Sequence, residues 1–197
     1  MPIANPVAAR WDAMVRAVDR ELRARLEAFL KPFYQDIDGV SRFDDVERIA
    51  RIARRLYAPP DDRAFELLLL FHRLGRWLEK MGNLSRTLLA VGGLGESELL
   101  ATAASIRRID DPVTDAERAI AAAVMIDSAG VRGLTEQFAR ARREGNSLMD
   151  VVRAAMSDVA APEWLSPQAV EWLHVRREAR REVCRKLFEE SSLDDLA

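Results

Sequence analysis

Apolar residues recur every three or four positions along most of the chain, which is the spacing of one face of an α-helix. The pattern starts after Asn5 and Pro6, a helix-capping residue followed by a proline suited to the first helical position. We therefore predict a long amphipathic helix over 6–31 that Pro32 ends. A second long amphipathic pattern covers 166–190, where Ser166 is expected to cap the helix ahead of Pro167. We expect these two terminal helices to pack on the rest of the protein.

One stretch, over 65–81, is apolar almost all round rather than along a single stripe. Its residues 67–71 contain no polar side chain, and apolar residues continue to Met81. A helix of this kind is normally surrounded by other helices, so we predict that it is the central helix of the fold. His72 and Arg73 interrupt the apolar run. Because a buried charge without a partner is costly, we expect a carboxylate to face Arg73.

The remaining segments carry shorter helical patterns separated by Gly, Pro, Asn or Asp. Thr114 and Glu117 have the spacing of a capping box, in which each side chain satisfies a free backbone N–H of the other. No segment alternates with period two for long enough to predict a strand. The sequence thus predicts a single all-α domain of about nine helices over 1–197. The shorter ones are expected over 46–57, 84–91, 97–108, 114–127, 131–143 and 148–159.

Composition narrows the classes of partner and location. The 197 residues are 49% hydrophobic and 31% charged, with a formal net charge of −2, so no global field attracts nucleic acid or an anionic membrane. No apolar run is long enough to span a bilayer. A single cysteine, Cys184, suits a reducing compartment, and the N-terminus lacks a signal-peptide pattern. We expect a cytoplasmic bacterial protein that binds neither nucleic acid nor membrane.

Three motifs resemble those of the HD-domain metal-dependent phosphohydrolase superfamily. The segment FDDVERI at 43–49 resembles the family's opening helix, in which a histidine usually precedes Val-Glu-Arg-Val. The segment LFHRLG at 70–75 resembles the Leu-Leu-His-Asp-Ile-Gly motif, and AAVMIDSAG at 122–130 resembles a later motif that contains an aspartate. The resemblance covers 42–143, and more faintly the last helix, and it implies an HD-like helical fold.

In that family two histidines and two aspartates hold a divalent metal. The positions that match these ligands here are Asp45, His72, Arg73 and Val124. Only His72 is retained, while Asp45 offers a carboxylate that a hard cation accepts and Val124 cannot bind a metal. Shifting the last motif by three residues places Asp127 at the ligand position instead, at the cost of the match to Gly130. Both alignments remain open at this stage.

Arg73 stands where the family has an acidic ligand, and its guanidinium is always charged. At an effective dielectric constant of about 20, two unit charges about 4 Å apart interact by roughly 4 kcal/mol, and a dication doubles this. The repulsion adds to the loss of a ligand. We therefore expect no metal cofactor in this protein.

Helix geometry suggests the partner of Arg73. Asp45 precedes the predicted turn at 57–62 by about 18 Å of helix, and His72 follows it by about 15 Å. If the two helices form an antiparallel hairpin, Asp45 lies level with Arg73. We predict that Arg73 fills the former metal position and pairs with Asp45, with Asp127 as a further partner.

Several functions are compatible with this arrangement. The ion pair could simply fill an obsolete cavity, or the arginines could bind a small anionic or phosphorylated molecule where the metal once met phosphate. An enzyme that uses His72 and Asp45 as an acid–base pair is an alternative, as is a residual phosphohydrolase whose metal site uses Asp45, His72 and Asp127. We predict a protein with a degenerate metal site that binds a small anion or a protein partner, and that dimerises through its terminal helices. The candidate ligand-binding residues are Arg48, Arg73, Arg76, Arg108 and Asp127.

Overall fold

The computed structural model describes residues 21–32, 34, 43–56, 63–74, 93–157 and 159–194. Every regular element in these residues is helical, so the predicted all-α class is confirmed. The predicted helix over 84–91 and the start of the first helix lie outside the described residues, so the predicted count of nine helices is not confirmed. The eight described helices are α1 (21–32), α2 (Asp44–Leu56), α3 (Arg63–Phe71), α4 (Glu96–Arg107), α5 (Asp115–Ala129), α6 (Val131–Glu144), α7 (Leu148–Met156) and α8 (Pro167–Asp194).

Helix α5 is the element against which most of the others pack, because it contacts α2, α3, α6 and α8. Its buried positions are rich in alanine, and Ala119, Ala122 and Ala123 are completely enclosed. Small side chains let neighbouring helices approach closely on several sides. The prediction that 65–81 forms the central helix is therefore corrected: the central helix is α5.

Helix α3 is nonetheless buried along its whole apolar run, from Phe65 to Phe71. It ends at Phe71, and His72 and Arg73 form a turn. The Leu74 N–H donates to the Phe71 carbonyl at 2.8 Å, a three-residue closure that tightens the chain after the last α-helical residue. The predicted helix is therefore broken in its middle, and its second half, from residue 75, lies outside the described residues.

Several predicted helix ends are confirmed by their hydrogen bonds. The Thr114 hydroxyl accepts from the Glu117 N–H at 3.2 Å, and the Glu117 carboxylate accepts from the Thr114 N–H at 3.1 Å. Ser166 accepts from the Ala169 N–H at 3.2 Å at the start of α8. Helix α7 is three residues shorter than predicted, because Ser157 adopts an extended conformation.

The main hydrophobic core contains buried residues that range along the chain from Leu26 of α1 to Leu173 of α8. A second small cluster lies between α6, α7 and α8 and consists of Leu134, Val152, Ala155 and Cys184. Of the helices described, none combines the length and the apolar character that crossing a lipid bilayer requires.

Candidate functional site

Asp45 lies in the first turn of α2, and its side chain is completely buried. Arg48, one turn later, donates to Asp45 Oδ1 at 3.0 Å, and Arg132 from the start of α6 donates to the same oxygen at 2.6 Å. A nitrogen of Arg73 lies 3.8 Å from Asp45 Oδ2. The predicted pairing of Arg73 with Asp45 is therefore confirmed. Three guanidinium groups, contributed by three separate parts of the chain, surround one buried carboxylate.

Asp127, near the end of α5, pairs through both carboxylate oxygens with Arg48, whereas the sequence analysis predicted it as a partner of Arg73. Arg48 Nε donates to Asp127 Oδ1 at 2.5 Å, and a terminal nitrogen donates to Oδ2 at 2.7 Å. This two-point geometry is the strongest that an arginine and a carboxylate form. The hydrogen bonds that Arg48 donates to Asp127, together with the charges of Asp127 and Asp45, raise the pKa of Arg48 further above its usual range. Asp127 thus holds Arg48, which in turn bridges to Asp45.

The second carboxylate near Arg73 is Glu136 of α6, which the sequence analysis did not identify. It lies 3.7 Å from Arg73 and 3.5 Å from Arg132. The spacing of Arg132 and Glu136, four residues apart on one helix, was the available signal, because such residues share a helix face. We call the whole set the Asp45 cluster. Its three cationic and three anionic residues are Arg48, Arg73, Arg132, Asp45, Asp127 and Glu136.

His72 is buried beside this cluster. Its Nδ1 lies 2.6 Å from the Leu69 carbonyl oxygen, and because a carbonyl only accepts, Nδ1 carries the proton. Nε2 is left with a lone pair, and it makes no hydrogen bond with any described residue. Burial lowers the pKa of His72 to about 4, so the ring is neutral near pH 7. Neither ring nitrogen is hydrogen-bonded to Asp45, so the predicted acid–base pair has no direct link.

Other predicted site residues lie elsewhere or outside the described residues. Arg108 donates to Glu117 at 2.5 Å, beside the N-terminal cap of α5. It therefore does not belong to the Asp45 cluster. Arg76 lies outside the described residues. Val124 is partly buried against the main core. Of the two positions offered by the sequence motif, Asp127 is the one that joins the cluster.

The donor chemistry of the Asp45 cluster does not fit a divalent metal. Among the described residues, no set of three or more His, Cys, Asp or Glu side chains is arranged to hold a metal ion. The lone pairs of Asp45 and Asp127 already accept hydrogen bonds from guanidinium groups. A cation at this position would have to displace those arginines and would lie close to Arg73.

Comparisons with protein-family models, with curated proteins and with solved structures find no match to this chain. The resemblance to the HD-domain superfamily therefore rests on the three sequence motifs alone.

Proposed function

We propose that this is an HD-like helical protein in which an arginine–carboxylate cluster has replaced the catalytic metal, and that it binds a small anionic molecule instead of hydrolysing phosphate esters. One observation carries the proposal. The fully buried carboxylate of Asp45 accepts hydrogen bonds from Arg48 and Arg132 and has Arg73 at 3.8 Å. Asp45 stands where the resemblance implies a metal ligand, and arginine side chains bind its carboxylate instead.

The energetic comparison favours the arginines over a metal. Hydrogen bonds between charged groups contribute about 1.5–3 kcal/mol each, and a metal that took Asp45 would have to replace two of them. Removing one partner of a buried ion pair also leaves the other partner desolvated. A metal could therefore bind Asp45 only after the hydrogen bonds from Arg48 and Arg132 had been broken.

The outer edge of the cluster is accessible to solvent at Arg132. Arg132 is 48% exposed, whereas Asp45 is fully enclosed. Glu136 lies 3.5–3.7 Å from Arg132 and Arg73, longer than a strong charge-assisted hydrogen bond. A phosphate or carboxylate that approaches these two guanidinium groups with better geometry competes with Glu136 for them.

A first experiment tests the loss of metal chemistry. The purified protein would be analysed for bound metal, and the hydrolysis of nucleotides and phosphate monoesters would be assayed with added Mn²⁺ or Co²⁺. We expect no retained metal and no turnover that depends on His72. Tight metal retention together with activity abolished in His72→Ala would contradict the proposal and support a residual phosphohydrolase.

A second experiment tests anion binding at the cluster. Melting temperatures would be measured with phosphorylated and carboxylate metabolites, since a ligand that binds only the folded form raises the stability. We expect the shift to decrease in Arg73→Ala and Arg132→Gln. Arg142→Gln is the matched control, because Arg142 is an exposed arginine on the same helix as Arg132. If the two cluster variants keep every shift, the cluster does not bind the anion.

The buried lone pair on His72 Nε2 supports a second candidate, a metal-free enzyme that uses His72 as a base with Asp45 nearby. The low pKa of His72 makes it a weak base near pH 7. Turnover that persists in the presence of a chelator and is lost in His72→Gln would favour this candidate over a binding protein.

A further inference from the structure

A cavity of about 370 Å³ lies between α5, α6, α7 and α8. Its size falls within the range of about 300–1,000 Å³ typical of small-molecule sites. One side is apolar and is formed by Met125, Ala129, Ala155 and Leu173. None of the lining residues belongs to the Asp45 cluster, so this cavity is a separate feature of the molecule.

Arg177 and Arg180 of α8 also line the cavity and make part of its wall cationic. Arg177 donates to the Val159 carbonyl at 2.5 Å and so attaches the segment after α7 to α8. Arg180 differs from it: its Nε atom is buried and makes no hydrogen bond within the described part of the chain. Burial, together with the positive charges of Arg177 and Arg181, lowers the pKa of Arg180.

Neighbouring arginines on α8 are arranged differently. Arg181 and Arg185 each pair at 2.6 Å with a glutamate three residues earlier on the same helix. Arg180 has no such carboxylate among the described residues, although it is partly desolvated. A partly desolvated cation with no carboxylate partner among the described residues is unfavourable, and an anion in the adjoining cavity would supply a counter-charge.

We propose that this cavity binds an organic anion whose carboxylate or phosphate group pairs with Arg180 and whose apolar part lies against Met125, Ala155 and Leu173. Gln137 and Ser157 also line the cavity and provide further hydrogen-bonding groups. This combination of an apolar wall and one cationic end selects amphiphilic anions over inorganic ones. The proposal does not depend on anion binding at the Asp45 cluster.

The test is calorimetric titration of the full chain with octanoate and with hexyl phosphate, which distinguish the two headgroups. Inorganic phosphate and hexanol supply the headgroup and the tail separately. Arg180→Gln removes the charge, and Ala154→Leu fills the cavity from α7 while leaving Arg180 in place. Arg185→Gln is the control, because it makes the same change on the same helix away from the cavity.

We expect at least one amphiphilic anion to bind, and to bind at least about tenfold more weakly in both Arg180→Gln and Ala154→Leu, since the charge-assisted hydrogen bond or the apolar contact is lost. Arg185→Gln should bind as the unaltered protein does. The melting temperature of free Arg180→Gln should not fall, which separates a lost ligand contact from a loss of folding. The proposal is overturned if neither anion binds, if hexanol binds as well as the anions, or if both cavity variants retain full affinity.

Discussion

At the scale of single residues, Asp45 is the fully enclosed member of the cluster, and its carboxylate lies against three arginines. Asp45→Asn keeps the shape of the side chain but removes the negative charge. We expect a loss of roughly 3 kcal/mol in the free energy of unfolding, because Asp127 and Glu136 are then the only carboxylates of the cluster that face its three arginines. Urea denaturation followed by circular dichroism measures this change.

Asp150→Asn is the matched control, since Asp150 pairs with Arg153 on the exposed surface of α7. An exposed ion pair contributes less than about 1 kcal/mol, so this variant should unfold almost like the unaltered protein. Equal stability of the two variants would mean that the Asp45 cluster does not stabilise the fold.

His72 predicts a specific dependence of stability on pH. Burial lowers the pKa of His72 from 6.5 to about 4. Between these two pH values the unfolded chain binds a proton at His72 and the folded protein does not. The free energy of unfolding therefore keeps the full contribution of neutral His72 above about pH 6.5 and loses roughly 3 kcal/mol as the pH falls toward 4. Unfolding free energies measured between pH 4 and 8 should show this slope, and His72→Gln should reduce it.

His174→Gln provides the comparison, because His174 is exposed on α8. This variant should retain the same slope as the unaltered protein. If the slope is unchanged in His72→Gln, carboxylate groups rather than His72 account for the acid sensitivity.

At the scale of helices, the connection between α5 and α6 is the shortest between any two of the described helices. Gly130 alone separates the two helices, and a Cβ atom added at Gly133 would overlap the backbone carbonyl of Ser128. A backbone group cannot move aside as a flexible side chain can. We expect Gly133→Ala to lose about 3 kcal/mol or more of stability, measured by denaturant titration.

Gly95→Ala tests whether this effect is specific. A Cβ atom at Gly95 would meet only side-chain atoms of Ser97 and Glu98 at 3.5–3.6 Å, which is ordinary contact. Gly95 is the N-cap residue of α4, and alanine is a weaker N-cap than glycine. We therefore expect a loss of stability below about 1 kcal/mol in this variant. A mild effect of Gly133→Ala would show that α5 and α6 can separate at little cost.

At the scale of the whole molecule, Cys184 reports on the packing of α8 against α6 and α7. Its thiol is completely buried, and burial raises its pKa. We therefore expect almost no reaction with a thiol reagent in the native state and complete reaction of the single cysteine in denaturant. The labelling rate at intermediate denaturant should follow the fraction of open molecules.

Rapid stoichiometric labelling under native conditions would contradict this expectation and would mean that α8 detaches from the small cluster without global unfolding. Dimerisation through the terminal helices stays a prediction at this scale, and light scattering of the purified chain would test it.

Features that depend on residues close together in the chain could be predicted from the sequence. Apolar spacing predicts the helices, and the caps at Thr114 and Ser166 follow from hydrogen bonds that each helix end requires. The need of Arg73 for a carboxylate also follows from the sequence, and helix lengths were enough to select Asp45. These inferences succeed because helix geometry converts short separations along the chain into distances.

Contacts between residues far apart in the chain could not be predicted in this way, because they depend on how the helices pack. Arg132 reaches Asp45 across 87 positions of the sequence, and no periodicity indicates such a contact. The same holds for the central place of α5, for the end of α3 at Phe71, and for the burial of Arg180 Nε beside the cavity. Packing of several helices around alanine-rich α5 fixes these relations, and the energies of buried charges depend on the neighbours that packing supplies.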